Sequence, residues 1–221
     1  MATVFDAQSS TNGTNVTSLS IPAFTVGSGA NRAVVAYYLG WNDTIGVAAS
    51  LGADPGMSVI SGTDGGGTTA IVLLGRITTL TGSQTASMSW TNSQINVVGG
   101  VMTFTGANQT TPFNNGTFGS AVSLSVTSTS GDLTTTGCAA SASGNVQTGA
   151  GDTGPGTGTI IHTWTGAIDN LTTNRTRQFF RENGSNTSTS QSIYGISGVN
   201  VVQAAAAAGV PSLLMAPVIA A

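Results

Sequence analysis

"VSLSVTSTSGDLTTTGCAAS", residues 122–141, sets two short runs of β-branched and hydroxyl side chains either side of Ser130-Gly131-Asp132. Ser, Gly and Asp in succession form a turn, and Val, Leu and Thr on either side favour extended backbone. The stretch therefore reads as strand, turn, strand, with strands expected over 121–127 and 132–141.

The same rhythm runs outward in both directions. Strands are expected near 3–7, 16–21, 32–39, 45–51, 57–61, 69–76, 85–90 and 95–105, and beyond the opening stretch near 158–164, 176–181 and 192–203. Before residue 203 no segment has a convincing helical apolar period. "GTDGGGTTA" (62–70) reads as a hairpin loop, because three glycines accept positive φ at no steric cost. In "GTIIHTWTG" (158–166), Ile160, His162 and Trp164 share one side of a strand. The run 141–158 is expected to be a loop. Many short strands with regular turn signals indicate an all-β sandwich or barrel, and no repeat suggests a solenoid or propeller.

The 221 residues suit one large domain with a small appendage, here 1–203 and 204–221. Only 6% of residues are charged, against roughly 25% in ordinary soluble domains, and 39% are hydrophobic. Disorder has the opposite signature, so the chain folds. There is no lysine, and net charge is −3, which leaves no electrostatic footprint for nucleic acid. A surface built from Thr, Ser, Asn and Gly suits a subunit inside an assembly. One cysteine, Cys138, allows no intrachain disulfide. "MATVFDAQSS" lacks the basic start and apolar core of a signal peptide, so no export by that route is expected. The Asn-X-Ser/Thr triplets at Asn12, Asn15, Asn42 and Asn108 are then chance matches.

Three stretches occur together in order: "FTVGSGANRAVVAYYLGW" (24–41), "VGGVMTFTGANQTTPF" (98–113) and the opening one. Together they resemble a jelly-roll-like β-sandwich family of phage and environmental bacterial genomes. In that family an "NR" step, here Asn31-Arg32, feeds a buried strand, and a "TG-x-x-Q-T-T-P" turn, here Thr105–Pro112, follows another. The resemblance implies a jelly-roll-like fold and a virion or surface role, and brings no catalytic residues with it. On physical grounds Asn31 is suited to a left-handed turn that starts the strand at Arg32, and Pro112 is expected to stop a strand.

Candidate chemistry is sparse. His162 is the lone histidine and sits mid-strand without a nucleophile elbow. One Cys and one His exclude an ordinary structural zinc centre. Asp64 and Asp152 lie in glycine-rich loops without the acidic spacing of a calcium loop, and read as turn residues. No Lys follows Gly65–Gly67, so no phosphate cradle is expected. Trp41, Trp90 and Trp164 read as core. No catalytic residue, cofactor or metal is expected.

Two segments are left for binding. In "NRTRQFFREN" (174–183), Arg175, Arg177 and Arg181 share a strand face, suited to an acidic partner or simply to a solvated, cross-strand-paired surface. "AAAAAGVPSLLMAPVIAA" (204–221) is uncharged, but Gly209, Pro211 and Pro217 break a membrane helix, and proline confines a strand to an edge. An extended arm remains, whose Leu213, Leu214, Met215, Val218 and Ile219 need an apolar surface. The expected protein is a phage capsid decoration or cement subunit, with a tail or fibre component as a close variant. It would be assembled in the host cytoplasm into the virion and contact capsid protein or itself as a homo-oligomer, with no nucleic acid or membrane. A carbohydrate-binding or adhesive module on a bacterial surface, with a glycan as ligand, is the alternative.

Overall fold

The computed structural model describes residues 3–41, 46–63, 69–94, 96–119, 123–127, 129, 131–141, 158–161, 177–183 and 192–205. These residues contain no helix. In chain order the strands are β1 (Val4–Gly13), β2 (Val16–Val26), β3 (Arg32–Trp41), β4 (Ala48–Leu51), β5 (Ser58–Thr63), β6 (Thr69–Thr78) and β7 (Gly82–Gln94). They continue with β8 (Asn96–Thr105), β9 (Phe113–Gly119), β10 (Ser123–Val126), β11 (Leu133–Ser141), β12 (Gly158–Ile161), β13 (Arg177–Asn183) and β14 (Ser192–Val201).

β3 organises the rest. Every residue from Ala33 to Gly40 is buried, whichever face it points to. A strand buried on both faces reads as a continuous apolar run, and "AVVAYYLG" is one. β3 lies in the middle of a central sheet of order β1-β8-β3-β6-β5. On one face Val34, Ala36 and Tyr38 pack with Leu19, Ile21, Met88 and Trp90 from a three-stranded sheet, β2-β7-β4. On the other face Ala33, Val35, Tyr37 and Leu39 pack with Leu133, Val199 and Val201 from a four-stranded sheet, β13-β11-β14-β9. The body is thus an all-β sandwich of three layers, a central sheet covered on both faces. A fourth piece is the two-stranded ribbon β10-β12, whose β10 lies against β14 and β9.

Close packing between layers fixes small residues. Gly99 stands opposite Tyr38 in the β3–β8 ladder. A Cβ there would come within 2.9 Å of both Met88 Sδ and Leu19 Cδ1. Trp90 lies against Tyr38 with ring centroids 4.9 Å apart, and its indole N–H donates to Val16 O at 3.1 Å. It belongs to the core, as expected. The side chain of Trp41, and the whole of Trp164, are outside the described residues.

Both edges of the central sheet are managed. At β1 the chain turns through Asn15, at φ 55°, and crosses into the first cover sheet as β2. Asp6, the extra residue of a bulge in β1, accepts hydrogen bonds from Gly27 N–H and Thr103 Oγ1–H, both 2.9 Å. β2 carries Pro22, and its register slips between Ile21 and Phe24; the strand is an edge, where a missing N–H is tolerated. At the other edge β5 bulges at Ile60, and β9 comes alongside. Ser61 Oγ there donates to Thr117 O at 2.8 Å, and Ser197 Oγ donates to Ser61 Oγ at 2.7 Å.

Several expectations are corrected. β9 was not expected: "FNNGTFG" has turn composition, and pairing with β14 makes it a strand. Pro112 therefore precedes a strand; β8 has already ended at Thr105. The turn at Gly131-Asp132 forms, with Asp132 N–H donating to Thr129 O at 3.0 Å, but it joins different sheets, since β10 pairs with β12 and β11 with β14. Among the described pairs one is parallel, β11 with β13. β5 and β6 pair antiparallel as a hairpin requires, with residues 64–68 outside the described residues. Residues 142–157, expected as loop, are also outside.

Leu39 is fully buried and Val59 is 56% exposed. Leu39→Ala should therefore cost about 2–5 kcal/mol of unfolding free energy. Val59→Ala should stay within about 0.5 kcal/mol of the parent. Urea denaturation of the two variants measures the contrast, and equal losses would contradict burial of β3 on both faces.

Candidate functional site

The three stretches that carry the family resemblance meet at one end of the sandwich. Asn31 adopts φ 56°, as its turn requires, and starts β3. The Arg32 guanidinium closes the approach to the strand by donating to Gly29 O and Thr79 O. Beside it runs the segment after β8: Gly106 N–H donates to Ala30 O at 3.0 Å and Ala107 N–H to Asn31 O at 2.8 Å. Asn108 Oδ1 accepts from the N–H groups of Thr110 and Thr111 at 2.8 and 3.0 Å, an Asx turn that leads to Pro112.

The chain returns to this point after β14. Asn108 N–H donates to Val202 O at 2.8 Å, and Val202 N–H to Pro112 O at 2.9 Å. Gln203 forms an isolated antiparallel bridge with Ala107. Ala204 N–H donates to Gly106 O at 2.7 Å, and Ala204 is 9% exposed. Ala204 thus still packs on the body, and Ala205 is exposed.

The third stretch supplies the charge at this end. Asp132 is 3% exposed. Its Oδ2 accepts from Asn200 Nδ2 at 2.8 Å and from Thr129 Oγ1–H and N–H at 2.8 and 3.2 Å. Its Oδ1 accepts from Gln203 N–H at 2.8 Å. The other Asn200 N–H goes to Asn114 Oδ1 at 2.8 Å. Thr3 N–H donates to Gly131 O at 2.7 Å, which brings the start of β1 to the same knot. Gly131 has φ 96°, and the Gln203 amide lies where its Cβ would be, so only glycine fits. Burial works to raise the Asp132 pKa. The donors from Asn200, Gln203 and Thr129 outweigh it and hold the carboxyl below its usual range. All of them are neutral, so the buried anion is solvated by oriented dipoles.

Of the binding residues expected from sequence, two are on a described strand. Arg177 and Arg181 lie on β13, an edge of the second cover sheet, opposite Thr135 and Ala139. Arg175, Leu213, Leu214, Met215, Val218 and Ile219 are outside the described residues, as are His162, Asp64 and Asp152. Cys138 is in β11, opposite Ile196 and Phe180. Among the described residues no group of His, Cys, Asp and Glu is arranged to hold a metal. A shallow hollow of about 150 Å³ lies over the first cover sheet, lined by Ala48, Ala49, Ser50, Gly56, Ser87 and Ser89.

No family model, curated protein or solved structure matches the chain.

The Asp132 knot went unseen in the sequence beyond its turn. Its partners lie 68 and 71 residues away, and nothing in "SGD" marks a carboxylate that must stay charged. Because folding lowers its pKa, Asp132 contributes stability in full above about pH 4, and that contribution is lost as pH falls through the folded-state value. Asp132→Asn should lower stability at pH 7 by about 1–3 kcal/mol, since a donor amide now faces donors. It should also flatten the acid limb of stability below about pH 4. Denaturant titrations at stepped pH read both effects, and an unchanged acid limb would remove Asp132 from this role.

Proposed function

We propose that the chain is a non-enzymatic structural subunit of a phage particle, a head decoration or cement protein or a close variant in tail or fibre. Residues 206–221 would dock on a neighbouring capsid protein or a second copy. The observation that carries this reading is the uncharged apolar sequence of residues 206–221, which follows a root fixed at Gln203-Ala204. It is supported by the resemblance of residues 24–41, 98–113 and 122–141 to a phage-associated sandwich family. A charge fraction of 6% also suits a surface that is covered in an assembly.

Leu213, Leu214, Met215, Val218 and Ile219 would each contribute about 1.5–3 kcal/mol on burial. Ordering the backbone of residues 213–219, which carry them, costs about 1–2 kcal/mol per residue, so the terms nearly cancel for that stretch. Pro211 and Pro217 reduce that cost by limiting the free arm's conformations. Repetition over many subunits then makes a small net gain sufficient. Arg175, Arg177 and Arg181 would add a salt-sensitive contact to an acidic neighbour.

A second reading, an adhesive module for glycans, is favoured by the hollow over Ser50, Ser87 and Ser89, whose hydroxyls both donate and accept. Ser50 and Ser87 already share a hydrogen bond of 2.8 Å. At about 150 Å³ the hollow is smaller than the roughly 300–1,000 Å³ of ordinary small-molecule sites. The structural role is the stronger reading.

Removing residues 206–221 while keeping Ala204 should leave the melting temperature of the monomer within about 2 °C, because less than about 0.5 kcal/mol of body stability is touched. Sedimentation of the truncated chain, alone and with capsids, should show assembly lost. Leu213→Asp with Leu214→Asp should reproduce that loss, since a buried unpaired carboxylate is costly. Arm-dependent assembly should also weaken between 50 and 500 mM salt if the arginines take part. Normal assembly by the truncated chain would overturn the reading, and glycan binding abolished by Ser87→Tyr would replace it with the second.

A further inference from the structure

We propose that Asp132 is a latch that fixes where the C-terminal segment leaves the body, and that opening it frees the chain from Val202 onward while the sandwich stays folded. The proposal concerns the isolated chain and stands whether or not the segment meets a virion neighbour.

Among the bonds that hold residues 202–204, two kinds differ in what they depend on. The backbone bonds of Val202 to Asn108 and Pro112, and of Ala204 to Gly106, are ordinary main-chain pairs at the edge of an irregular segment. The bond from Gln203 N–H to Asp132 Oδ1 is charge-assisted and comes from a side chain. It is also the one that ties the segment to the knot of Thr129, Asn200 and Asn114. The Gln203 amide rests on Gly131, so the carboxylate and the glycine beside it grip the same residue from its main chain and its side chain.

None of these contacts belongs to the two apolar clusters that hold the layers together. Those clusters include Val201 and end there; Val202 and Gln203 are part-exposed, and Ala205 is exposed. Loss of the latch therefore removes a hydrogen-bonded strap and leaves Val199 and Val201 packed on the central sheet beside Leu133. The consequence is reach. Four residues, Val202 to Ala205, extend by at most about 3.3–3.6 Å each, so release frees up to about 13–14 Å of chain. The latched state fixes the chain as far as Ala204, and the released state fixes it only as far as Val201.

Amide hydrogen exchange on the full chain tests this in Asp132→Asn and in Gln203→Pro. The second variant removes the N–H that Asp132 Oδ1 accepts, together with the side-chain amide that rests on Gly131, and leaves Thr129, Asn200 and Asn114 unchanged. Val202 and Ala204 amides should exchange about ten- to a hundredfold faster in both variants, the span expected for losing one charge-assisted bond. Amides of Ala33 to Leu39 should keep their parent rates. If Asp132→Asn does not fold, Gln203→Pro alone decides. Unchanged protection at Val202 and Ala204 in Gln203→Pro overturns the latch. So does a loss of protection that spreads equally to Ala33–Leu39, because the segment would then be part of the cooperative core.

Discussion

Burial of β3 on both faces is the constraint from which the rest of the architecture follows. A strand that meets water on neither side needs an apolar layer above and below, and it needs neighbours in the ladder on both sides so that no backbone group is left unpaired. β8 and β6 supply the ladder, and their residues 97–104 and 70–75, beside β3, are buried as well. The covering layers must then be sheets, because the chain has no helix among its described residues to lay across a face. Each sheet so added has edges of its own. The bulge at Asp6, the slip at Pro22 and the approach of β9 to β5 are the local means by which those edges are bent or covered.

The same constraint accounts for the composition. With three strands shielded on both faces, solvent-facing positions belong mostly to the outer sides of the cover sheets. There β7 alternates in the ordinary way, with Ala86, Met88 and Trp90 inward and Thr85, Ser87, Ser89 and Thr91 outward. Serine and threonine serve such a face without charge, since each hydroxyl both donates and accepts.

That contrast explains what was readable in advance. β7 and β11 follow period-two alternation or turn punctuation, and both were placed from sequence. The strand at β3 was also found, but its double burial was not, because the number of layers depends on what lies on each side. β9 was missed since Asn114, Asn115 and Gly116 signal a turn, and Asn115 does adopt φ 52° inside the strand. Its strand character comes from β14, about 80 residues later. Local chemistry was read correctly at Asn31 and at Gly131-Asp132, each as a turn. That both turns, together with Thr105–Pro112, converge on the exit of the chain is a property of the fold, and short-range signals carry no trace of it.

Convergence at this end also changes the energetics of the segment that follows. A tail that leaves a domain through a frayed terminus must order its own root before any distal side chain can dock, at about 1–2 kcal/mol for every residue fixed. Here Val202, Gln203 and Ala204 are ordered when the sandwich folds, through Asn108, Pro112, Asp132 and Gly106. Were the segment to dock on a partner, residues 202–204 would add no ordering cost, and the direction in which the chain passes Ala204 would be set beforehand. Preorganisation of this kind raises affinity without adding a contact. In a subunit that joins an assembly through an apolar arm, a buried carboxylate far from any interface would therefore influence binding, by holding the point from which the arm begins.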